Sequence, residues 1–262
     1  MACCKDAAEF FPQMMKTMRW SEGETVLDFG CGNGNSTCKY ILPEVQSRNG
    51  KLYGIDRAQN HVDQAKEKYP DGNWICGDFM DESALNGIKF DKIFSMHVLN
   101  YFTDLDHIRK GLTRHLDLLK PGGQIGSVIL TANTMVFQVC KSVAEKHKEL
   151  LKNTAMTDWT KFEEGKGEET FTRIFEGAGF AVKDLRLLSG REFTIENLDC
   201  FLDHMLSFNP FLNEGSVVDD LKDTLKKEHR KALTDAVGAA EDANSIACKY
   251  EIVYVVAEKP EQ

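Results

Sequence analysis

The stretch Thr25-Val26-Leu27-Asp28-Phe29-Gly30-Cys31-Gly32-Asn33-Gly34 decides the fold. It opens as a short apolar strand and runs into three glycines at alternate positions, and residues 35–42 behind it read as a helix. Glycine accepts positive φ and lets a ligand approach the backbone closely. The helix start beyond it offers free N–H groups. A strand that turns this tightly into a helix opens an α/β sheet with a ligand site at the turn. A dinucleotide turn would carry G-x-G-x-x-G. Position 35 is Asn, which counts against a nicotinamide-dependent dehydrogenase. Taken alone, the spacing is also that of an ordinary tight strand-to-helix turn.

Working outward, residues 6–18 place Ala8, Phe10, Phe11, Met14, Met15 and Met18 in the pattern of a short amphipathic helix, with Pro12 against it. Downstream come a strand at 51–56, a helix at 59–69, strands at 73–77 and 90–95, a helix at 105–119 and a strand at 124–130. Lys120-Pro121-Gly122-Gly123 is expected to end that last helix. Strand and helix alternate, so the sheet is expected to be parallel with helices on both faces. The second half reads as helices at 135–151 and 168–177 and strands at 181–188 and 249–257. Between those strands lie further helices at 194–207 and 215–238. The expected architecture is a doubly wound, mostly parallel, seven-stranded α/β sheet with a helical lid inserted between strands six and seven. The main domain is 1–189 with 247–262, and the insertion is 190–246.

The net charge of −9 gives no electrostatic reason to bind nucleic acid or an anionic membrane, so neither is expected as a partner. No apolar run is long enough to span a bilayer. The start Met1-Ala2-Cys3-Cys4-Lys5-Asp6 lacks the apolar core of a signal peptide, and a cytoplasmic protein is expected. Cys3, Cys4, Cys31, Cys38, Cys76, Cys140, Cys200 and Cys248 form no C-x-x-C pair, so reduced thiols and no metal site are expected.

In open parallel sheets ligands lie outside the carboxyl ends of the strands. Asp56 ends the second strand, where a carboxylate can accept both ribose hydroxyls of a nucleoside; it fits equally as a helix cap. Arg57 follows it, and Gly77-Asp78-Phe79 follows the third strand. After the fourth come Ser95, Met96, His97, Asn100 and Tyr101. His97 either faces the ligand or packs beneath it. His61, His107, His115, His147, His204 and His229 fall on helices and read as solvated or structural. The insertion is apolar on one face, from Phe201, Leu202, Met205 and Phe208 through Asn209-Pro210-Phe211 to Val217, Val218, Leu221 and Leu225. As a lid it would bury a small lipophilic substrate against Phe201, Met205 and Phe208. The same stripe also fits packing on the sheet and a homodimer face.

The motif Asp28-x-Gly30-x-Gly32-x-Gly34, with Asp56 and Asp78 after the next two strands, resembles the cofactor loop of the class I, Rossmann-like, S-adenosylmethionine-dependent methyltransferases. The chain further resembles the insect juvenile hormone acid methyltransferase family. Trp20, Val26 to Gly34, Phe90 to Ser95, Phe175-Glu176-Gly177-Ala178-Gly179-Phe180, Asn209-Pro210-Phe211 and the last strand carry that resemblance. It implies S-adenosylmethionine as cofactor, with S-adenosylhomocysteine as product. Asp28 would take the methionine ammonium and Asp78 the adenine amino group, with Phe79 on the ring. Gly30, Gly32, Gly34, Asp56, Arg57 and Ser95 complete the cofactor set, and His97 faces the methyl group. The implied reaction is O-methylation of a small lipophilic carboxylic acid. Two positions depart from the family. Cys3 stands where a Gln precedes the Lys5-Asp6-Ala7 run, and Asn100-Tyr101 stands where the family carries His-Trp. A small phenol deprotonated by His97 is the alternative, and a non-enzymatic carrier of a lipophilic ligand on the same fold is a third reading.

Overall fold

Residues 2–102, 104–147, 160–207 and 219–261 are described by the structure, a computed structural model. Near-continuous apolar runs, buried on both faces, build the central strands of the sheet. β1 (Thr25–Phe29), β2 (Lys51–Asp56), β3 (Asn73–Cys76), β4 (Phe90–Met96) and β5 (Leu119–Leu130) run parallel. β6 (Ala181–Ile195) and β7 (Ile246–Glu258) form a long antiparallel ribbon, with β7 antiparallel to β5. The order is β3-β2-β1-β4-β5-β7-β6. This is the doubly wound, mostly parallel seven-stranded sheet that the alternation implies.

Because successive side chains point to opposite faces, each strand feeds two cores. Val26, Phe94 and Val128 point to the face covered by α1 (Ala2–Thr17), where they meet Phe10, Phe11 and Met14. Leu27, Phe29, Ile93 and Ile125 point to the other face, covered by α4 (Leu105–Leu118) and α6 (Gly167–Gly177). α3 (Gln59–Lys68) packs Val62 and Ala65 on Cys31 and Trp74.

α1 includes Pro12, against the sequence reading that a proline there weakens the helix. An interior proline costs about 3 kcal/mol. The fully buried Ala7, Phe10, Phe11 and Met14 offset it, at roughly 1.5–3 kcal/mol for each large side chain. Pro12 itself is exposed, so the carbonyl it leaves unbonded lies on the wet side. The helix read at 35–42 begins as a widened π turn, Thr37–Ile41, and continues as α2 (Leu42–Ser47). Pro43 lacks the N–H an uninterrupted α-helix would need there. Lys120-Pro121-Gly122-Gly123 is not a terminating loop but the start of β5. Gly122 N–H donates to the Lys259 carbonyl (3.0 Å) and Lys259 N–H to that of Gly123 (2.8 Å), so the chain beyond β7 pairs the segment.

Two further boundaries move. Thr194 and Ile195 pair with Ala247 and Ile246, so they end β6 instead of opening the helix read at 194–207. That helix is α7 (Leu198–Ser207), capped where the Asn197 side chain accepts from Cys200 N–H (2.9 Å). The helix read at 135–151 is α5 (Met135–Ala144), which closes in a turn at Glu145 and Lys146. α8 (Asp219–Val237) covers the second helix of the insertion. Phe208, Asn209-Pro210-Phe211, Leu212, Val217 and Val218 lie outside the described residues.

Leu130 of β5 pairs with Ile252, so β7 residues before Ile252 and the later part of β6 project beyond the carboxyl end of β5. Ile195, Ile246 and Cys248 on that projection join Val139, Val143, Leu198, Leu202, Leu225 and Leu233 in one core. A layer of α5, α7 and α8 therefore stands at the end of the sheet where ligands bind in open α/β folds. No helix among the described residues is long and apolar enough to cross a membrane.

Candidate methyl-donor site

The loop after β1 is shaped by glycines with different tasks. Gly30, Gly32 and Gly34 have φ of +73°, +52° and +74°. A Cβ on Gly30 would lie 2.2 Å from Val98 Cγ2, so this glycine is required by packing. Among the described residues, a Cβ on Gly32 would meet nothing within 4 Å, which leaves an open cradle at the middle of the loop. The Gly32 N–H donates to Asp56 Oδ2 (2.9 Å), and Asp56 Oδ1 accepts from Ala58 N–H (2.9 Å). One carboxylate thus ties the end of β2 to the glycine loop and the start of α3.

Asp28 sits beneath this loop, 4% exposed, and accepts from the Thr37 hydroxyl. Burial, and then the like charge of Asp56, push its carboxyl up to about 7. A buried carboxyl in that state suits a cationic ligand group, which would favour its ionised form. The loop and the two carboxylates together fit the methionine portion and ribose of S-adenosylmethionine.

The remaining candidates divide between site and core. Asp78 is exposed, and its side chain accepts from Met80 N–H (2.8 Å). Arg57 beside Asp56 is exposed too. The Phe79 ring is spent on the core, with centroids 4.1 Å from Phe29 and 4.3 Å from His115, so it does not present a free face for a base. Ser95 is fully buried inside the sheet between Phe29 and Ser127. Met96 lies in the α1 core and Met205 in the helical layer, where its sulfur is 3.3 Å from that of Cys140. Phe201 is partly buried beside it. Asn100 is fully buried with no partner on either amide atom among the described residues, whereas Tyr101 is 46% exposed. Among the histidines read as structural, His115 and His229 are buried, and burial takes the His115 imidazole down to about 4. A hollow of about 490 Å³ opens beyond β5, lined by Asn133, Phe137, Gln138, Lys141 and Phe162 among others. None of the sequence-derived candidates borders it.

His97 follows β4 with φ +56°, a left-handed conformation that is costly for a residue with a Cβ. Its N–H donates to the Val128 carbonyl (2.8 Å). Its Nε2 lies 2.8 Å from Oδ2 of Asp6, which is fully buried. Asp6 Oδ1 accepts from the Tyr250 hydroxyl (2.6 Å) and from Arg191 Nη2 (2.9 Å). Sequence reasoning missed Asp6, Arg191 and Tyr250. The available signal was Asp6 itself, an acid one turn before Phe10 and two before Met14 on a buried stripe.

Residues 26–123 match the family model described as a methyltransferase domain. An uncharacterized methyltransferase of Anoxybacillus flavithermus is 30% identical over 121 residues, 46% of this chain and 54% of the relative. The sterol 24-C-methyltransferase of Pneumocystis carinii is 33% identical over 109 residues, 40% of this chain and 28% of that enzyme. The chain thus spans about half or less of the curated relatives it matches. In structure it is similar to a candidate methyltransferase from Bacillus halodurans, at a TM-score of 0.61 and 16% identity, over 96% of this chain and 99% of the other. Residues 26–123 thus carry a class I methyltransferase domain, the sheet has the Rossmann-like fold of that class, and S-adenosylmethionine is the cofactor of that domain. These similarities reach the methyltransferase class; the juvenile hormone acid family remains a resemblance.

Proposed function

We propose that the protein is an S-adenosylmethionine-dependent O-methyltransferase of a small lipophilic molecule. The observation that carries this reading is the open Gly32 cradle tied by hydrogen bond to Asp56, with the buried Asp28 beneath it. The cofactor supplies a methyl group made electrophilic by its sulfonium. Asp28 would pair with the methionine ammonium, and Asp56 would turn its remaining lone pairs to the ribose hydroxyls. Gly30, Gly34, Arg57, Asp78 and Ser95 would complete the cofactor set, with Asp78 accepting from the adenine amino group. Residues 190–246 would cap the acceptor, with Phe201 as the partly exposed contact in that layer.

A carboxylic acid is the acceptor that the family resemblance implies. A phenol is the second reading, and the contact between His97 and Asp6 favours it. A carboxylate needs positioning but no base, because its pKa near ~4.3 leaves it ionised at neutral pH. A phenol with pKa near ~10 needs a proton acceptor, and an imidazole is the side chain suited to it. The test is transfer of labelled methyl from S-adenosylmethionine across a panel of small lipophilic acids and phenols. Turnover of members of either group supports the proposal. Tight binding of lipophilic molecules with no transfer to any would instead support the carrier reading.

A further inference from the structure

We infer that buried Asp6 holds His97 in the tautomer with its proton on Nε2, leaving Nδ1 as a bare proton acceptor that selects a hydroxyl over a carboxylate. The inference rests on the methyltransferase reading and concerns its substrate class. Asp6 is a positioning residue: it touches His97 and not the acceptor.

The two oxygens of Asp6 have separate partners. Oδ1 accepts from Tyr250 at 2.6 Å and from Arg191 at 2.9 Å. Oδ2 lies 2.8 Å from His97 Nε2, and neither atom has another partner among the described residues. The two atoms are at hydrogen-bond distance, with the N–H vector and the carboxylate out of alignment. The charged and titratable groups around the pair are Glu9 on α1, Arg191 on β6 and Tyr250 on β7, with Glu9 Oε2 2.6 Å from Arg191. Burial pushes the Asp6 carboxyl up. The hydrogen bond and charge of His97, with Tyr250 and Arg191, more than offset this and hold it below its ordinary value. An ionised carboxylate only accepts hydrogen bonds, so the nitrogen facing it must carry the proton.

Nε2 is buried while the His97 side chain keeps 10% exposure, so that exposure lies on the rest of the ring. The left-handed backbone at His97 is strained, and such outliers persist where the surroundings over-determine them. The network from α1, β6 and β7 is that over-determination. In the step it supports, the acceptor hydroxyl gives its proton to Nδ1 as its oxygen bonds to the methyl carbon. The C–S bonding pair stays on sulfur, leaving a thioether. Asp6 offsets the imidazolium charge until the proton passes to solvent. A carboxylate offers Nδ1 no proton, and its lone pairs oppose the one on that nitrogen.

The test is nitrogen NMR of histidine-labelled full-length protein at a pH where the ring is neutral, with His97 assigned by its loss in His97→Gln. The expected wild-type signal is Nε2–H, with and without S-adenosylhomocysteine. In Asp6→Asn, Tyr250 and Arg191 both donate to the Oδ1 position, so the amide oxygen must stay there and its NH₂ must face His97. The ring should then flip to Nδ1–H. Phenol kcat should fall by roughly 10²–10⁴-fold, with S-adenosylhomocysteine affinity unchanged. Tyr250→Phe, which removes one donor and keeps Asp6, should retain Nε2–H. A wild-type Nδ1–H tautomer would overturn the inference. So would full phenol turnover in an Asp6→Asn protein that binds the cofactor product, or a preference for carboxylic acids. Failure of wild type to bind S-adenosylhomocysteine would defeat the underlying reading separately.

Discussion

Asp56 accepts a hydrogen bond from the backbone N–H of Gly32, 24 residues earlier in the chain, at 2.9 Å. The acid at the end of β2 therefore shapes the loop proposed to hold the cofactor. Asp56→Ala should weaken S-adenosylhomocysteine binding by about 1.5–3 kcal/mol per charge-assisted bond lost, roughly 10-fold or more in Kd. Unchanged affinity by calorimetry would remove Asp56 from the site.

Alanine at Gly30 and at Gly32 should do different things. Both positions have positive φ, which costs an L-residue about 1–2 kcal/mol. At Gly30 the new Cβ also collides with Val98, so thermal unfolding should show the larger loss. At Gly32 it meets open space, so the Tm change should be the smaller of the two while cofactor affinity drops sharply. Equal Tm losses with intact binding at Gly32 would contradict the cradle.

Asp28 gives a pH signature with a definite sign. Burial pushes its folded carboxyl up to about 7 from an ordinary 3.8, so between these values the folded state binds more protons than the unfolded one. The stabilisation is fully present below pH 3.8 and is lost as pH rises through 7, amounting to roughly 4 kcal/mol. Denaturant unfolding without cofactor should show this slope, and Asp28→Asn should flatten it. S-adenosylhomocysteine affinity should rise over the same pH range, since its ammonium favours the ionised form.

In the helical layer, Met205→Ala should act on stability and Phe201→Ala on substrate. Met205 is packed on Cys140 in the core, so its truncation should cost about 2–5 kcal/mol. Phe201 is only partly buried, and Phe201→Ala should raise the acceptor KM while leaving the cofactor Kd alone. A fall in Tm alone for Phe201→Ala would make the layer a packing element.

Much of the fold was legible because hydrophobic period and glycine placement carry it. The apolar run of β1 and the turn at Gly30 to Gly34 announce the sheet and the ligand end together. Boundaries set by distant pairing were not legible. Nothing local tells that Thr194 and Ile195 extend β6, since the partner is Ala247 and Ile246, or that the chain after β7 will pair Gly122 and Gly123. The same holds for side chains. Phe79 follows β3 as an adenine-stacking residue would, but Phe29 and His115 claim its ring from other elements. Asp6 reaches His97 across 91 residues of sequence, and only the packing of α1 on the sheet brings them together.

The loop after β1, with Asp28 and Asp56, is the proposed seat of S-adenosylmethionine. The most direct measurement is a calorimetric titration of the full-length protein with S-adenosylhomocysteine and, in parallel, with NAD. Saturable binding of S-adenosylhomocysteine is expected at micromolar strength, about −8 kcal/mol, weakened by Asp56→Ala, with no binding of NAD. Binding of NAD in preference, or no binding of S-adenosylhomocysteine to a folded protein, would contradict this placement.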